Sequence, residues 1–191
     1  MVIKSQPYIL LFSLLFSVGL NGQNEYDWQL KAGISYGHGF ITEQTQTLQG
    51  QFNLGLEKDN FEARLDAFYL FKQQGDRVRF LKNNQVFLGG YYYFLKNNLR
   101  PYCGAQIGFA HAQSTEYGTL NEKNSLETES AINPIASFGA GMDYKLNQRL
   151  DLSIECRQIF GKHIANSYPT YLDEFRISIG VGIYLINKTT N

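Results

Sequence analysis

The stretch Phe175-Arg176-Ile177-Ser178-Ile179-Gly180-Val181-Gly182-Ile183-Tyr184-Leu185 alternates without a break. Phe175, Ile177, Ile179, Val181, Ile183 and Leu185 fall on one parity; Arg176, Ser178, Gly180, Gly182 and Tyr184 fall on the other. A period of two is the mark of a β-strand whose two faces meet different surroundings. Phe61–Phe71 repeats the pattern, with Phe61, Ala63, Leu65, Ala67, Tyr69 and Phe71 set against Glu62, Arg64, Asp66, Phe68 and Leu70. Working outward from these two, eight such segments are expected: Asp27–Tyr36, Leu48–Glu57, Phe61–Phe71, Gln85–Phe94, Tyr102–His111, Pro134–Leu146, Leu150–Phe160 and Glu174–Leu185. Each meets the ~9–11 residues that a tilted transmembrane strand needs.

The connections sort by length. Lys58-Asp59-Asn60, Lys96–Arg100 and Asn147-Gln148-Arg149 are short, whereas Gly37–Thr47, Lys72–Asn84, Ala112–Asn133 and Gly161–Asp173 are long and polar. Alternating short turns and long loops belong to a meandering outer-membrane barrel. Charge follows parity as well. The apolar faces of the eight segments carry no Asp, Glu, Lys or Arg, while the opposite faces carry Lys31, Glu57, Glu62, Arg64, Asp66, Asp143, Lys145, Glu155, Arg157 and Arg176. A cation facing lipid at mid-membrane costs about 2–4 kcal/mol, so such exclusion suits a lipid-facing surface. A soluble sandwich would share the parity, but not the loop asymmetry. Gly55, Gly104, Gly108, Gly139, Gly141, Gly180 and Gly182 also fall on the polar parity, where small residues in a narrow barrel make room for large neighbours. The predicted fold is therefore all-β: an eight-stranded antiparallel up-and-down transmembrane barrel, with short periplasmic turns and long external loops.

Composition agrees. The 191 residues suit one domain, and 13 tyrosines with 14 phenylalanines favour strands. Lys plus Arg equals Asp plus Glu at 17 each, so no basic field exists to attract nucleic acid. At the amino terminus Lys4 precedes the apolar run Tyr8–Leu20, too short for a membrane helix but suited to a secretory signal. Cleavage after Gly22 is expected, dividing the chain into a signal peptide, residues 1–22, and a barrel domain, 23–191. No Cys stands there to take a lipoprotein anchor. Cys103 and Cys156 form no zinc motif, and both share parity with lipid-facing residues. They fall on the fifth and seventh segments, roughly 9–10 Å apart across the sixth. That is beyond the ~7 Å disulfide limit, so two free thiols are expected.

Arg100–Ala110 (RPYCGAQIGFA) and Phe138–Leu146 (FGAGMDYKL) resemble the small OmpA-like outer membrane protein β-barrel domain family, often labelled porin family and common in Bacteroidetes. The resemblance implies an eight-stranded barrel in the cell outer membrane, in a family whose members mostly lack a defined activity. The peptidoglycan-binding domain of full OmpA-type proteins has no counterpart here, so no cell-wall tether is expected. Ser178, Gly180, Ile183 and Leu185 are similar to the strand signal read by the barrel assembly machinery, although the polar residues Asn187–Asn191 follow where an aromatic terminus is usual. The same residues equally read as a plain lipid-spanning strand.

The lumen network Lys31, Glu62, Arg64, Asp66, Asp143, Lys145, Glu155, Arg157 and Arg176, with Glu57, is the candidate site. It reads as a salt-bridged plug, since eight strands enclose just enough room for side chains and confined charges need partners. A selectivity filter in a small porin-like channel is the alternative. Glu62, Arg64 and Asp66 are expected to pair with Glu155, Arg157 and Arg176. His38, His111 and His163 are expected at strand ends or in loops on the external side. None stands in the His-x-Ser arrangement of outer-membrane lipid A deacylases, and no catalytic residue is assigned. Glu116, Glu122, Glu127 and Glu129, against Lys123, match no calcium loop, and the Asn187-Lys188-Thr189 sequon carries no weight in a bacterial exported chain. No cofactor or metal is expected. The expected partners are outer-membrane lipid and, during biogenesis, the assembly machinery, with a monomeric barrel and an external loop partner that the sequence does not name. A soluble lipocalin-like carrier is the remaining alternative, but Trp28 lacks a Gly-x-Trp opening and the charges sit on the wrong parity for it.

Overall fold

The computed structural model describes residues 28–42, 45–75, 80–114, 119–120, 126–127, 129–165 and 170–186. The expected signal peptide, the expected cleavage site and the polar tail lie outside them. Eight long strands follow one another: β1 (Gln29–Thr42), β2 (Thr45–Lys58), β3 (Phe61–Gly75), β4 (Phe80–Tyr93), β5 (Leu99–Ser114), β6 (Ala131–Lys145), β7 (Leu150–His163) and β8 (Glu174–Ile186). Each pairs antiparallel with its neighbours in sequence. The ring closes where β1 pairs β8 from Leu30↔Ile186 to Phe40↔Phe175. Closure leaves no unpaired edge, which a sheet in lipid requires.

The hairpins at one end are tight. Asp59 adopts φ 55° in the β2–β3 turn, a left-handed conformation that Asp tolerates better than most residues. Asn60 locks that turn to the next hairpin: its side chain donates to the Tyr93 carbonyl at 2.9 Å, and Tyr93 N–H donates to the Asn60 carbonyl at 2.7 Å. At the β6–β7 turn the Asn147 side chain accepts from the N–H groups of Arg149 and Leu150, the self-capping habit of Asn in turns.

At the other end the strands run further than the sequence suggests. Gly37–Thr47 and Lys72–Asn84 read as loops, yet most of both belongs to the ladder, leaving only residues 43–44 and 76–79 between strands. Gly37 and Gly39 look like loop glycines but face the lumen. A Cβ on Gly39 would collide with the Glu174 carboxylate and the Thr47 hydroxyl. Within the longer connections, Thr119–Leu120 pairs Leu126–Glu127, and Thr170–Tyr171 pairs the end of β7.

The two faces are sorted as parity requires. At mid-barrel the outward residues are apolar and bare, Ile107 at 75% exposure and Phe138 at 62%, while inward Glu62, Asp66 and Asp143 are at 0%. Lipid covers that outer surface in a transmembrane barrel. A lipocalin would have the reverse arrangement.

Candidate functional site in the barrel lumen

All nine lumen residues expected from the sequence, and Glu57 with them, point inward. Nearest the turns, Glu57 on β2 accepts from the Arg100 guanidinium on β5, which also donates to the Tyr184 hydroxyl on β8 at 2.8 Å. Arg100 stacks over the Tyr93 ring at 4.0 Å, a cation–π contact that a planar guanidinium makes well. Lys31 on β1 reaches Asp143 on β6 at 2.6 Å and Asp151 on β7 at 2.7 Å. Lys145 faces the lumen but lies over the Tyr184 ring at 4.9 Å, with no carboxylate in ion-pair contact among the described residues.

The middle of the lumen is spanned by two reciprocal pairs. β3 and β7 stand on opposite sides of the eight-strand ring. Arg64 of β3 donates to Glu155 of β7 at 3.0 Å, and Arg157 of β7 donates to Asp66 of β3 at 2.6 Å. Each guanidinium also holds the carboxylate two residues away on its own strand: Arg64 binds Glu62 through Nε and Nη2 at 3.0 and 2.9 Å, and Arg157 Nε binds Glu155 at 2.8 Å. Residues at i and i+2 share a strand face, so the local pairs are built into the spacing Glu62-x-Arg64 and Glu155-x-Arg157. Tyrosines fill the gaps. Tyr102 donates to Glu155 at 3.0 Å, and the Tyr93 hydroxyl lies 2.6 Å from Glu62 and 2.9 Å from Asp143. Arg157 further binds Gln106 at 2.6 Å and the Tyr91 hydroxyl at 2.8 Å. Buried charge is tolerated only when paired and hydrogen-bonded, and both conditions are met here.

The expected pairing of Arg176 with the β3 group is not what the structure has. Arg176 turns to Glu174 at 2.8 Å and crosses to Gln85 on β4 at 2.9 Å. Its guanidinium lies over Phe68 at 4.2 Å. Arg176 stands opposite Arg157 in the β7–β8 ladder, and the Asp66 carboxylate is taken by Arg157 and Gln51 instead. Toward the loops apolar side chains join the buried polar ones. Phe68, Phe80, Phe87, Ala110, Ala112, Ile135, Ile159 and Leu172 form one buried apolar cluster. Leu172 enters it from the β7–β8 connection, held by its N–H donating to the Gly161 carbonyl at 2.9 Å. The plug is thus ionic toward the turns, while toward the loops an apolar cluster stands beside the Glu174–Arg176 pair and the buried Thr47, Gln49 and His163.

Sequence reading missed Arg100, Asp151 and Glu174. Arg100 was expected in a turn, yet β5 begins at Leu99 and directs it inward. Asp151 and Glu174 open their strands on the inward parity, so the parity rule carried one step further finds them.

A cavity of about 10 Å³ lies among Lys31, Ser35, Gln51, Asn53, Arg64, Asp143 and Ser153. That is about the volume at which a single water fits.

The histidines do not converge. His38 lies within β1 rather than at its end, accepts or donates at 2.9 Å with Gln46 and stacks on Phe40. His163 closes β7 and faces inward. Its Nδ1 accepts from Ala165 N–H at 3.3 Å, so Nε2 carries the proton given to the Ala112 carbonyl at 3.1 Å. His111 Nε2 is 2.5 Å from the exposed Ser130 hydroxyl. Among the described residues no carboxylate hydrogen-bonds its other nitrogen. Cys103 and Cys156 are both free and exposed on the outer wall.

A closed eight-stranded antiparallel ring with an apolar exterior and an ion-paired interior defines a transmembrane β-barrel. Solved structures with the same fold include small outer-membrane barrels. Neisserial surface protein A matches with a TM-score of 0.55 at 15% identity, over 83% of this chain and 97% of that one. The outer membrane protein AlkL, determined in lipid bilayers, matches at 0.55 and 14% identity over 89% and 95%. The N-terminal barrel domain of Pseudomonas aeruginosa OprF matches at 0.52 and 17% identity over 81% and 97%. At these identities the likeness is one of fold. No protein-family model and no curated protein matches the chain.

Proposed function

We propose that this protein is an integral barrel of the cell outer membrane, with a structural or surface-interaction role and a lumen closed by its own side chains. The reciprocal pairs Arg64–Glu155 and Arg157–Asp66 carry the reading, because they tie opposite walls together where a channel would need to be open. The fold shared with outer-membrane barrels and the apolar outer wall support the location. The turns face the periplasm and the loop end faces out. Residues 1–22 act as the export signal, the assembly machinery inserts the barrel, and the barrel is a monomer in lipid. With the lumen filled, contacts with other molecules fall to the loop end and the outer wall. No catalytic step is assigned. Cell fractionation tests the location. The protein should remain with outer membranes through salt and carbonate washes and should change apparent size in SDS gels on boiling. Recovery in the soluble periplasm without detergent would refute it.

A further inference from the structure

Two β-bulges near the loop end of adjacent strands place lysines where regular parity would not pair them with apolar neighbours. On β3, Gln49 pairs Leu70 and Leu48 pairs Lys72, leaving Phe71 as the extra residue. Phe71 and Lys72 consequently both face outward, Phe71 at 62% exposure. On β4, Phe80 pairs Ser114 and Lys82 pairs Gln113, leaving Leu81 extra. Leu81 and Lys82 are likewise both exposed, while Phe80 turns into the apolar cluster. Bulges re-aim side chains in this way, and they recur at the rims of barrels. The last β3–β4 pair is Phe68↔Gln85, and Lys72 and Lys82 lie a similar distance beyond it toward the loops.

We propose that Lys72 and Lys82 form a binding site for the phosphate-bearing headgroup of an anionic lipid. The inference rests on the reading that the outer wall faces a bilayer. The apolar wall below the lysines supplies the bed for acyl chains: Tyr69 and Phe71 meet edge to face at 5.7 Å, with Leu81 and Val86 beside them on β4. A lysine at that boundary keeps its stem on apolar surface and its ammonium in the headgroup layer. Among the described residues no carboxylate pairs with either lysine, so their charge is left for an outside anion. The turn-end lysines differ, since Lys96 pairs Asp59 at 3.7 Å and Lys58 lies over Trp28. The adjoining apolar wall selects a lipid rather than free phosphate.

The test uses the full barrel purified in an uncharged detergent. Binding of phosphatidylglycerol and of phosphatidylcholine is followed by native mass spectrometry. The wild type should retain phosphatidylglycerol in preference to phosphatidylcholine, and inorganic phosphate should not displace it. Lys72→Gln with Lys82→Gln should weaken phosphatidylglycerol binding roughly fivefold for each lysine removed. Lys58→Gln with Lys96→Gln should leave it unchanged. Both variants alter exposed side chains, and the gel shift on boiling confirms that each is folded. Equal binding of the two lipids, displacement by inorganic phosphate, or equal losses in the two double variants would overturn the site. Failure of the membrane reading itself shows separately, as soluble protein on fractionation.

Discussion

Arg157 and Asp66 come from strands on opposite sides of the ring and meet at 2.6 Å across the lumen. Their neighbours Glu155 and Arg64 meet in the opposite charge sense at 3.0 Å. Two strands each carrying an anion and a cation two residues apart bind each other in both senses, so slipping either strand by two residues would set like charges face to face. The network therefore specifies register across the barrel as well as filling it.

Removing one partner from this network leaves the other buried and uncompensated. Arg64→Ala should destabilise the barrel by about 3–5 kcal/mol, less where water enters. Lys96→Ala, at an exposed turn pair, should leave the melting temperature unchanged. Thermal unfolding in detergent, read by the gel shift, compares the two. Equal midpoints would mean that the ion pairs contribute nothing.

The cross-lumen geometry also sets a coupling. Arg157→Ala and Asp66→Asn should be strongly non-additive, the double variant being far less destabilised than the sum of the single variants. Additive effects would show that the two side chains do not meet.

Cys103 and Cys156 both lie opposite Ala140, on β5 and β7 with β6 between them. Two strand spacings amount to about 9–10 Å, beyond the ~7 Å Cα limit for a disulfide. Reduction should leave the intact mass unchanged. In bilayers both thiols should react with a membrane-permeant maleimide and resist a charged one. An intramolecular disulfide would contradict the strand order.

Ile107 is outward at the middle of β5. Ile107→Arg should cost about 2–4 kcal/mol in a bilayer. Wild-type stability of that variant would place the residue away from lipid.

The period-two pattern revealed the eight strands and the inward parity because every strand divides the same two environments. Lys31 through Arg176 could be assigned to the lumen from parity alone. Strand ends were less legible. Arg100 stands after a polar run and before Pro101, and Gly37 to Gly39 carry loop-like residues, so local chemistry spoke for turns. What holds them in the ladder is lumen contact: Arg100 with Glu57, and the space beside Gly39 filled by Glu174. Such partners depend on how the strands stagger around the ring, which one strand's sequence does not encode. The bulges at Phe71 and Leu81 were hidden for the same reason, and with them the inward turn of Phe80 into the apolar cap.

The central claim is that side chains close the lumen. Planar-bilayer recordings of the purified protein test it most directly. A barrel closed by the Arg64, Arg157 and Arg176 contacts and the Leu172 cap should give little steady conductance at any salt concentration. A large, reproducible, ion-selective conductance that changes on Arg64→Ala would contradict the closed lumen and make the protein a small channel.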